Sequence, residues 1–202
     1  MSVHQRIAIT GASGLIGTAL VGHLKAEGHT VQRLVRRAPV GADEVQWDPQ
    51  TGFVDLEPLR GVDAVIHLAG VGVGDKRWSK KYKSEILNSR LLGTTAIANA
   101  VTELKPQVFI SASAIGWYGE SGNRAVVETD RVGDDFLAAV CREWEAAADL
   151  AQDVRTVKIR TGLVLDPTGG ALGKMLPLFR LGLGGKLGNG KQWWSWITLH
   201  DQ

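Results

Sequence analysis

The sequence has little of what marks several common classes of protein. Cys141 is the single cysteine among 202 residues, which excludes an intrachain disulfide and favours a reducing, cytoplasmic location. No stretch reaches the roughly 18 consecutive apolar residues of a membrane span. Residues 1–6 also lack the apolar core of a signal peptide, so we expect no membrane partner.

An excess of charge of one sign is also lacking. Lysines and arginines number 23 against 21 aspartates and glutamates, and the formal net charge of +2 gives no reason to expect a nucleic-acid partner. The five histidines show no metal-ligand spacing, so no metal site is expected. The residue types in excess are glycine, with 25 residues, and tryptophan, with seven.

Short apolar runs alternate along the chain with longer segments of helical spacing. Strands that are apolar on both faces and alternate with helices favour a parallel sheet covered on two sides. We therefore predict an α/β fold with a doubly wound parallel sheet, in which ligands bind beyond the carboxyl ends of the strands. The predicted strands are residues 6–10, 30–36, 45–47, 64–69, 107–111 and 155–165, and the predicted helices are residues 15–27, 79–104 and 133–151.

A glycine-rich turn follows the first predicted strand and opens the first predicted helix. Gly11, Gly14 and Gly17 recur there at a spacing of three. In a dinucleotide fingerprint, the first glycine permits a tight turn, the second lets the backbone approach a pyrophosphate, and the third lets helix and strand pack closely. The helix N-terminus would offer free N–H groups to the phosphates. We predict a dinucleotide site; the alternative is a turn that binds nothing.

The end of the second predicted strand indicates which dinucleotide is bound. An acidic residue there usually holds a free ribose 2′-hydroxyl, but residues 30–38 contain no aspartate or glutamate. The strand instead ends in Arg36 and Arg37, and a guanidinium can pair with a 2′-phosphate. NADP is therefore the expected cofactor, with Arg36 at its phosphate; the alternative is two solvated arginines.

The composition changes after Pro167. Residues 168–190 hold eight glycines, and Trp193, Trp194 and Trp196 follow them. We predict an NADP-binding domain at residues 1–166 and the beginning of a smaller, incomplete substrate-binding region at residues 167–202. Strand alternation would place Trp194 and Trp196 on one face. The tryptophans could stack on a flat or sugar-like substrate, or belong to a core or an interface.

Three motifs resemble an extended short-chain dehydrogenase/reductase with a Rossmann fold: GASGLIG (11–17), DAVIHLAG (63–70) and VFISASAIGWYG (108–119). More narrowly, the chain resembles the NAD-dependent epimerase/dehydratase family, in its branch of predicted nucleoside-diphosphate-sugar epimerases or SulA-like proteins. The narrower features are Lys83-Ser84-Glu85, Asn88-Ser89-Arg90, Asp134-Asp135-Phe136-Leu137, Trp144-Glu145 and GNGKQWWSWI (188–197). Members of this family usually continue well beyond the position of Gln202, which accords with an incomplete second region.

The resemblance implies a set of cofactor contacts along the chain. They are Gly11, Ser13, Gly14, Leu15, Ile16 and Gly17 in the phosphate loop, Arg36 at the adenosine phosphate, Leu68, Ala69 and Gly70 along the adenosine and ribose, Glu85 and Arg90 on a helix, and Val164 after the last strand. An exposed helical ion pair is the alternative for Glu85 and Arg90, but a five-residue spacing suits such a pair poorly.

The resemblance also implies a departure from the superfamily's chemistry. Its reductases and epimerases use a Tyr-x-x-x-Lys pair with a serine or threonine. Here Leu137 and Cys141 occupy the tyrosine and lysine positions. Ser113 and Tyr118 remain as candidate catalytic residues. Alternatively, Ser113 satisfies local backbone and Tyr118 packs beside the pocket. Cys141 is favoured as a core residue over a nucleophile.

The leading hypothesis is an NADP(H)-binding oxidoreductase or nucleotide-sugar-epimerase-like enzyme acting on a small carbonyl or sugar-like substrate. That substrate would enter between the carboxyl edge of the sheet and the tryptophan-bearing region. The missing Tyr/Lys pair motivates the alternative, a non-catalytic NADP(H)-binding redox sensor or regulatory protein.

Overall fold

Nine strands and four α-helices occur in the described part of the chain, which is residues 4–186 and 188–202 of a computed structural model. The strands are β1 (Arg6–Thr10), β2 (Thr30–Val35), β3 (Glu44–Asp48), β4 (Phe53–Val54), β5 (Ala64–His67), β6 (Val108–Ala114), β7 (Arg155–Thr161), β8 (Leu163–Asp166) and β9 (Trp196–Thr198). The α-helices are α1 (Leu15–Ala26), α2 (Lys80–Leu104), α3 (Phe136–Ala148) and α4 (Gly170–Arg180), and 3-10 turns lie at Glu57–Leu59 and Ile115–Tyr118.

Seven of these strands form one sheet in the order β4-β3-β2-β1-β5-β6-β7. All pairings in it are parallel except that of β3 with β4, which is antiparallel. The chain runs outward from β1 to β3 on one side and then from β5 to β7 on the other. The predicted doubly wound α/β fold is therefore confirmed. The reversal places the ends of β1 and β5 side by side, at the crevice where such sheets bind ligands.

Two apolar cores lie on opposite faces of the sheet. On one face, Phe109 of β6 packs with Ile97 of α2 in a cluster that also includes Ala148 at the end of α3. On the other face, Leu20 and Leu24 of α1 pack in the same cluster as Ile9 of β1. Strands apolar on both sides are buried by helices on both sides, as the continuous apolar runs predict.

The long helices begin at side chains that cap them. The Ser79 hydroxyl accepts a hydrogen bond from the Tyr82 N–H at the start of α2, and Asp135 accepts one from the Ala138 N–H at the start of α3. Such caps satisfy an otherwise unpaired N–H and contribute about 1 kcal/mol each. Asp135, and not the preceding Asp134, is thus the N-cap of α3.

The predicted strand at residues 155–165 is wrong as a single strand. The chain breaks at Gly162, after which β8 leaves the main sheet and pairs in parallel with β9. A Cβ on Gly162 would lie 2.7 Å from the carbonyl oxygen of Ser195. The segment that precedes β9 therefore passes too close for any side chain, and glycine marks the break.

The glycine-rich segment after Pro167 contains α4, a helix that the sequence analysis did not predict. Trp196 begins β9 whereas Trp193 and Trp194 precede the strand, so the expected pairing of Trp194 with Trp196 on one face does not apply. Since β8 and β9 come from the two predicted domains, those regions share the small sheet; the division into domains stays a prediction.

No helix within residues 4–186 and 188–202 is both long and apolar enough to cross a bilayer.

The buried aromatic ring of β6 should carry a large share of stability. We expect Phe109→Ala to lower the free energy of unfolding by about 3–5 kcal/mol, because the ring is fully buried and its loss leaves a cavity. The matched control is Phe53→Ala, whose ring is 50% exposed on β4 and whose effect should stay below about 1 kcal/mol. Denaturant unfolding of both variants measures the difference; equal losses would contradict the assigned core.

Candidate functional site

The backbone of the turn between β1 and α1 packs directly against the backbone that follows β5, and α1 packs against the turn itself. Gly11 has φ +69°, and a Cβ there would lie 2.8 Å from the carbonyl carbon of Leu68. A Cβ on Gly17 would lie 2.2 Å from the carbonyl oxygen of Gly11. Both positions therefore require glycine. Gly14 is the N-cap of α1 and supplies no side-chain cap, which leaves N–H groups at the helix N-terminus available to an anion.

A buried threonine–histidine pair, which the sequence analysis missed, holds this turn against the end of β5. Thr10 and His67 are register partners at the ends of β1 and β5, and the Thr10 Oγ1 to His67 Nδ1 distance is 2.7 Å. The same Thr10 oxygen accepts hydrogen bonds from the N–H groups of Leu68 and Ala69 at 3.2 and 3.3 Å. Thr10 therefore donates to Nδ1. Burial lowers the pKa of His67 to about 3, so the ring stays neutral.

A cleft of about 930 Å³ opens beside this turn. It gathers predicted site residues from four separate parts of the chain: Gly11, Gly14, Leu15, Ile16, Gly17, Leu68, Ser113 and Val164. Its apolar wall includes Ile66 and Ile110, which are register partners on neighbouring strands and so share one face of the sheet. An apolar cleft with a helix N-terminus and few polar groups is typical of a cofactor site.

The other predicted contacts lie outside the lining of this cleft. Ser13 is exposed on the turn, and Ala69 follows Leu68 in the segment held by Thr10. A Cβ on Gly70 would lie 3.4 Å from Cζ of Arg90, so glycine there makes room for the guanidinium.

Arg90 and Glu85 do not pair with each other. Arg90 Nη1 donates to the carbonyl oxygen of Val71 at 2.9 Å, and its guanidinium lies 4.8 Å from the ring centre of Trp144. Burial lowers the pKa of Arg90 from its ordinary value. Oε2 of Glu85 instead lies 3.5 Å from Nζ of Lys76, in a partly exposed ion pair. This accords with the objection that their five-residue spacing suits an ion pair poorly.

The structure distinguishes the two arginines at the end of β2. Arg37 makes two hydrogen bonds to the buried carboxylate of Glu44, at 2.7 and 2.6 Å. Arg36 is exposed and has no ion pair within residues 4–186 and 188–202. The guanidinium of Arg36 is therefore the one left available to an anionic ligand. The sequence analysis places Arg36 at the phosphate, but it does not foresee the pairing of Arg37 with Glu44.

A second cavity, of about 1270 Å³, lies beyond β7. It is lined by Tyr118 and the loop that follows it, by the end of β7, and by residues near Trp193. Trp193 donates through its indole N–H to the Asn123 side chain at 2.7 Å and remains 77% exposed. Ile159 lines both this cavity and the cleft, so the two adjoin.

At the positions of the superfamily's tyrosine and lysine, this chain has no side chain that exchanges a proton with a substrate at neutral pH. The Cys141 thiol is buried and donates to the carbonyl oxygen of Ala114 at 3.7 Å. Burial raises the pKa of Cys141 to about 11, so the thiol stays protonated at neutral pH and is a poor nucleophile. Leu137 lies against Gly116, where a Cβ on the glycine would be 3.3 Å away.

Four polar side chains connect the cleft to the second cavity. Ser113 Oγ donates to Glu145 Oε1 at 2.6 Å. Arg160 donates two hydrogen bonds to the same carboxylate, from Nε to Oε1 at 2.8 Å and from Nη2 to Oε2 at 3.0 Å. Arg160 Nη1 donates to the Tyr118 hydroxyl at 3.1 Å. The two candidate catalytic hydroxyls are thus joined through one ion pair, which we call the Glu145–Arg160 bridge.

The Glu145–Arg160 bridge is largely buried, with Glu145 4% exposed. Burial alone would raise the pKa of Glu145, but the hydrogen bonds from Arg160 and Ser113 and the Arg160 charge hold it below its ordinary value. Arg160 was missed in the sequence analysis. The available signal was the glutamate in the apolar pattern of α3; β7 alternates polar and apolar residues, so Arg160 does not stand out in it. Within residues 4–186 and 188–202 no cluster of side chains could hold a metal ion.

Comparison of the sequence with known families and proteins gives consistent matches. The profile of the NAD dependent epimerase/dehydratase family matches residues 7–202. An epimerase family protein of Mycobacterium bovis is 46% identical over 198 residues, covering 97% of this chain and 66% of that protein. The human epimerase family protein SDR39U1 is 38% identical over 203 residues, covering 98% of this chain and 67% of that protein. The chain spans about two thirds of the length of these curated relatives.

Solved structures with the same fold include two of substantial sequence identity. The nucleoside-diphosphate sugar epimerase from Corynebacterium glutamicum has a TM-score of 0.86 at 40% identity, covering 98% of this chain and 42% of that one. The human epimerase family protein SDR39U1 (isoform 2), determined with NADPH, has a TM-score of 0.85 at 37% identity, covering 97% of this chain and 66% of that one.

The bridge should make stability depend on pH. Because the pKa of Glu145 is lower in the folded chain than its ordinary value of 4.5, its ionisation stabilises the fold above about pH 4.5. This contribution is lost as the pH falls toward the folded-state pKa. We expect Glu145→Gln to be less stable than the parent near pH 7 and to lose less stability on acidification below about pH 4.5.

The measurement is denaturant unfolding over an acid pH series, with Glu143→Gln on the same helix as the control because its carboxylate is 44% exposed. Parallel acid profiles for the parent and Glu145→Gln would contradict an ionised, stabilising Glu145.

Proposed function

Because this chain belongs to the NAD dependent epimerase/dehydratase family, we propose that it is an NADP(H)-binding oxidoreductase or nucleotide-sugar-epimerase-like enzyme of the extended short-chain dehydrogenase/reductase type. The observation that carries the proposal is the turn at Gly11 and Gly17. A Cβ at Gly11 would collide with the backbone of Leu68 and one at Gly17 with the carbonyl oxygen of Gly11, so both glycines keep the turn tight at the N-terminus of α1, where a pyrophosphate would bind. The same cleft extends to Ser113 at the end of β6.

The preference for NADP rests on Arg36. It is the arginine at the end of β2 whose guanidinium has no carboxylate partner in the part of the chain that the structure describes, and no acidic side chain stands in residues 30–38 to select a free ribose hydroxyl. A relative at 37% identity was determined with NADPH. The remaining contacts of the proposal are those of the phosphate loop, residues 68–70, Glu85, Arg90 and Val164.

The proposed substrate is a small carbonyl or sugar-like molecule in the second cavity. That cavity presents the indole of Trp193, the Tyr118 hydroxyl and polar side chains, a mixture suited to sugars and other polyhydroxylated molecules. A relative at 40% identity is described as a nucleoside-diphosphate sugar epimerase. The proposed location is cytoplasmic, in keeping with the single thiol.

In this proposal, the chain's own residues bind and orient the substrate and exchange a proton with it. The nicotinamide supplies or accepts a hydride when bound. Ser113, at the cleft, and Tyr118, in the second cavity, are the hydroxyls available to a substrate oxygen near Ile159, where the two cavities adjoin. Neither Leu137 nor Cys141 takes part.

One observation favours the alternative, a cofactor-binding sensor that does not turn over. Cys141, with a pKa raised to about 11 by burial, and Leu137 replace the pair that most relatives in the superfamily use for proton transfer. A sensor needs the cleft and Arg36 but neither candidate hydroxyl.

The assignment of NADP can be tested at a single side chain. We expect Arg36→Ala to weaken NADPH binding about tenfold to hundredfold, because a charge-assisted contact is worth about 1.5–3 kcal/mol, and to change NADH binding by less than about twofold. Calorimetric titration of the intact chain with each nucleotide gives both values. Arg37→Ala is the control: it loses the Glu44 contact, so it should reduce stability without changing the preference between nucleotides. Equal weakening of both nucleotides by Arg36→Ala would contradict the phosphate role.

Turnover separates the enzyme from the sensor. Absorbance of the reduced nicotinamide is followed with the intact chain, NADPH, and a panel of aldehydes, ketones and nucleotide sugars, and epimerised sugars are sought by chromatography. The enzyme predicts turnover with at least one class of substrate and its loss in the Ser113→Ala, Tyr118→Phe double variant. NADPH binding without turnover across the panel would instead support the sensor.

A further inference from the structure

We propose that the Glu145–Arg160 bridge fixes the direction of the hydrogen bonds made by the two candidate catalytic hydroxyls, so that Ser113 faces a ligand as an acceptor and Tyr118 faces it as a donor. This assigns positioning roles to Glu145 and Arg160, and it rests on the proposed function for its chemical consequence. The geometry itself is independent of that function.

The direction follows from what each charged group can do. A guanidinium carries only donors, and an ionised carboxylate carries only acceptors. The four donor–acceptor distances of the bridge lie between 2.6 and 3.1 Å, so each of these contacts is a formed hydrogen bond. Glu145 is ionised because Arg160 and Ser113 outweigh the effect of its burial on its pKa.

Ser113 is oriented by Glu145. The carboxylate cannot donate, so the single hydrogen of Ser113 Oγ points at Glu145 Oε1. The lone pairs of the same oxygen remain for the cleft, which Ser113 lines. Ser113 is 4% exposed, and a rotation that freed its hydrogen would leave the buried carboxylate with one donor fewer. Ser113 can therefore accept from a substrate or ribose hydroxyl, but it cannot donate to a carbonyl without breaking this bond.

Tyr118 is oriented in the opposite sense by Arg160. The guanidinium donates to the phenolic oxygen, which leaves the phenolic hydrogen without an acceptor in the described ranges 4–186 and 188–202. Tyr118 lines the second cavity, so its hydrogen is available to a ligand there. Arg160 is itself held in place: its guanidinium lies 3.9 Å from the ring centre of Trp117, and Nη1 also donates to the carbonyl oxygen of Glu128 at 3.0 Å.

In carbonyl reduction, the two hydroxyls would therefore have different roles: Tyr118 would donate a proton and Ser113 would orient the substrate. When bound, NADPH would supply the hydride that the carbonyl carbon accepts, and Tyr118 would donate its phenolic proton to the carbonyl oxygen. Arg160 continues to donate to the Tyr118 oxygen after the proton has left, and the phenol regains a proton from water through the open second cavity. Ser113 accepts a hydrogen bond from a hydroxyl of the substrate and so orients it. Arg160 would then place a cation beside the phenol, a role that Cys141, at the position of the superfamily's lysine, cannot perform.

The direction of the bonds can be observed without any substrate. Neutron diffraction from deuterium-exchanged crystals of the intact chain locates the exchangeable hydrogens. The proposal expects the deuterium of Ser113 directed at Glu145, none on the Glu145 carboxyl group, and the deuterium of Tyr118 directed into the second cavity. A deuterium on Glu145, or that of Ser113 directed into the cleft, would overturn it.

Variants test whether the bridge acts through the hydroxyls. Glu145→Gln keeps the shape, but in either orientation its NH2 group faces an Arg160 N–H, so one bond of the bridge is lost; where the NH2 group takes the place of Oε1, it donates to Ser113 and the serine hydrogen can turn to the cleft. With a carbonyl substrate that the panel identifies, we expect kcat to fall about a hundredfold while the Kd for NADPH changes less than about twofold. Arg160→Lys keeps the charge and should lose less than Arg160→Gln. Adding Glu145→Gln to Ser113→Ala should lower kcat by a smaller factor than Glu145→Gln does in the parent, because part of its effect acts through the Ser113 hydrogen bond that Ser113→Ala has already removed.

A merely structural bridge gives a different pattern. It would lower the unfolding temperature and the affinity for NADPH together, and the effects of Glu145→Gln and Ser113→Ala on kcat would add; that result would overturn the positioning role. Glu143→Gln, on the exposed side of α3, is the control that should match the parent. If NADPH binds but no substrate turns over, the proposed enzyme function fails while the neutron result still decides the direction of the bonds.

Discussion

The backbone of the first turn touches the backbone at the end of β5, and the candidate site depends on that contact. No side chain fits at Gly11 or Gly17, because a Cβ would lie within 3 Å of carbonyl atoms at both positions. The Thr10 hydroxyl accepts from two N–H groups of the neighbouring segment and donates to His67, which holds the two chain segments together at this distance. This contact sets the helix N-terminus beside the cleft in which a dinucleotide is proposed to bind.

A second constraint is the burial of charge between α3 and β7. An isolated buried carboxylate would be costly, and Glu145 is stabilised by three hydrogen bonds from Arg160 and Ser113. The same ion pair reaches Tyr118, so the need to pair a buried charge also determines how the two hydroxyls are oriented. Such an arrangement is compatible with Leu137 and Cys141 at the positions where related enzymes place a tyrosine and a lysine.

Much of the fold was predictable because short apolar runs, as in β1 and β5, alternate along the chain with longer segments of helical spacing. The phosphate loop was predictable for the same kind of local reason, since its glycines lie close together in the sequence. β4 is only two residues long, and the break at Gly162 depends on the distant Ser195, so neither left a local pattern. The helix α4 was missed because glycine content disfavours helices in isolation, whereas tertiary contacts override such preferences.

The sequence by itself determined the alternation of strands and helices, the position of the glycine turn, and the absence of an acidic residue after β2. All of these follow from residues adjacent in the chain. Only the tertiary structure decided which of Arg36 and Arg37 is paired, that Thr10 meets His67, and that Glu145 joins Ser113 to Arg160. These partners lie on different elements, and their contacts arise from sheet order, register and packing, which no local pattern encodes.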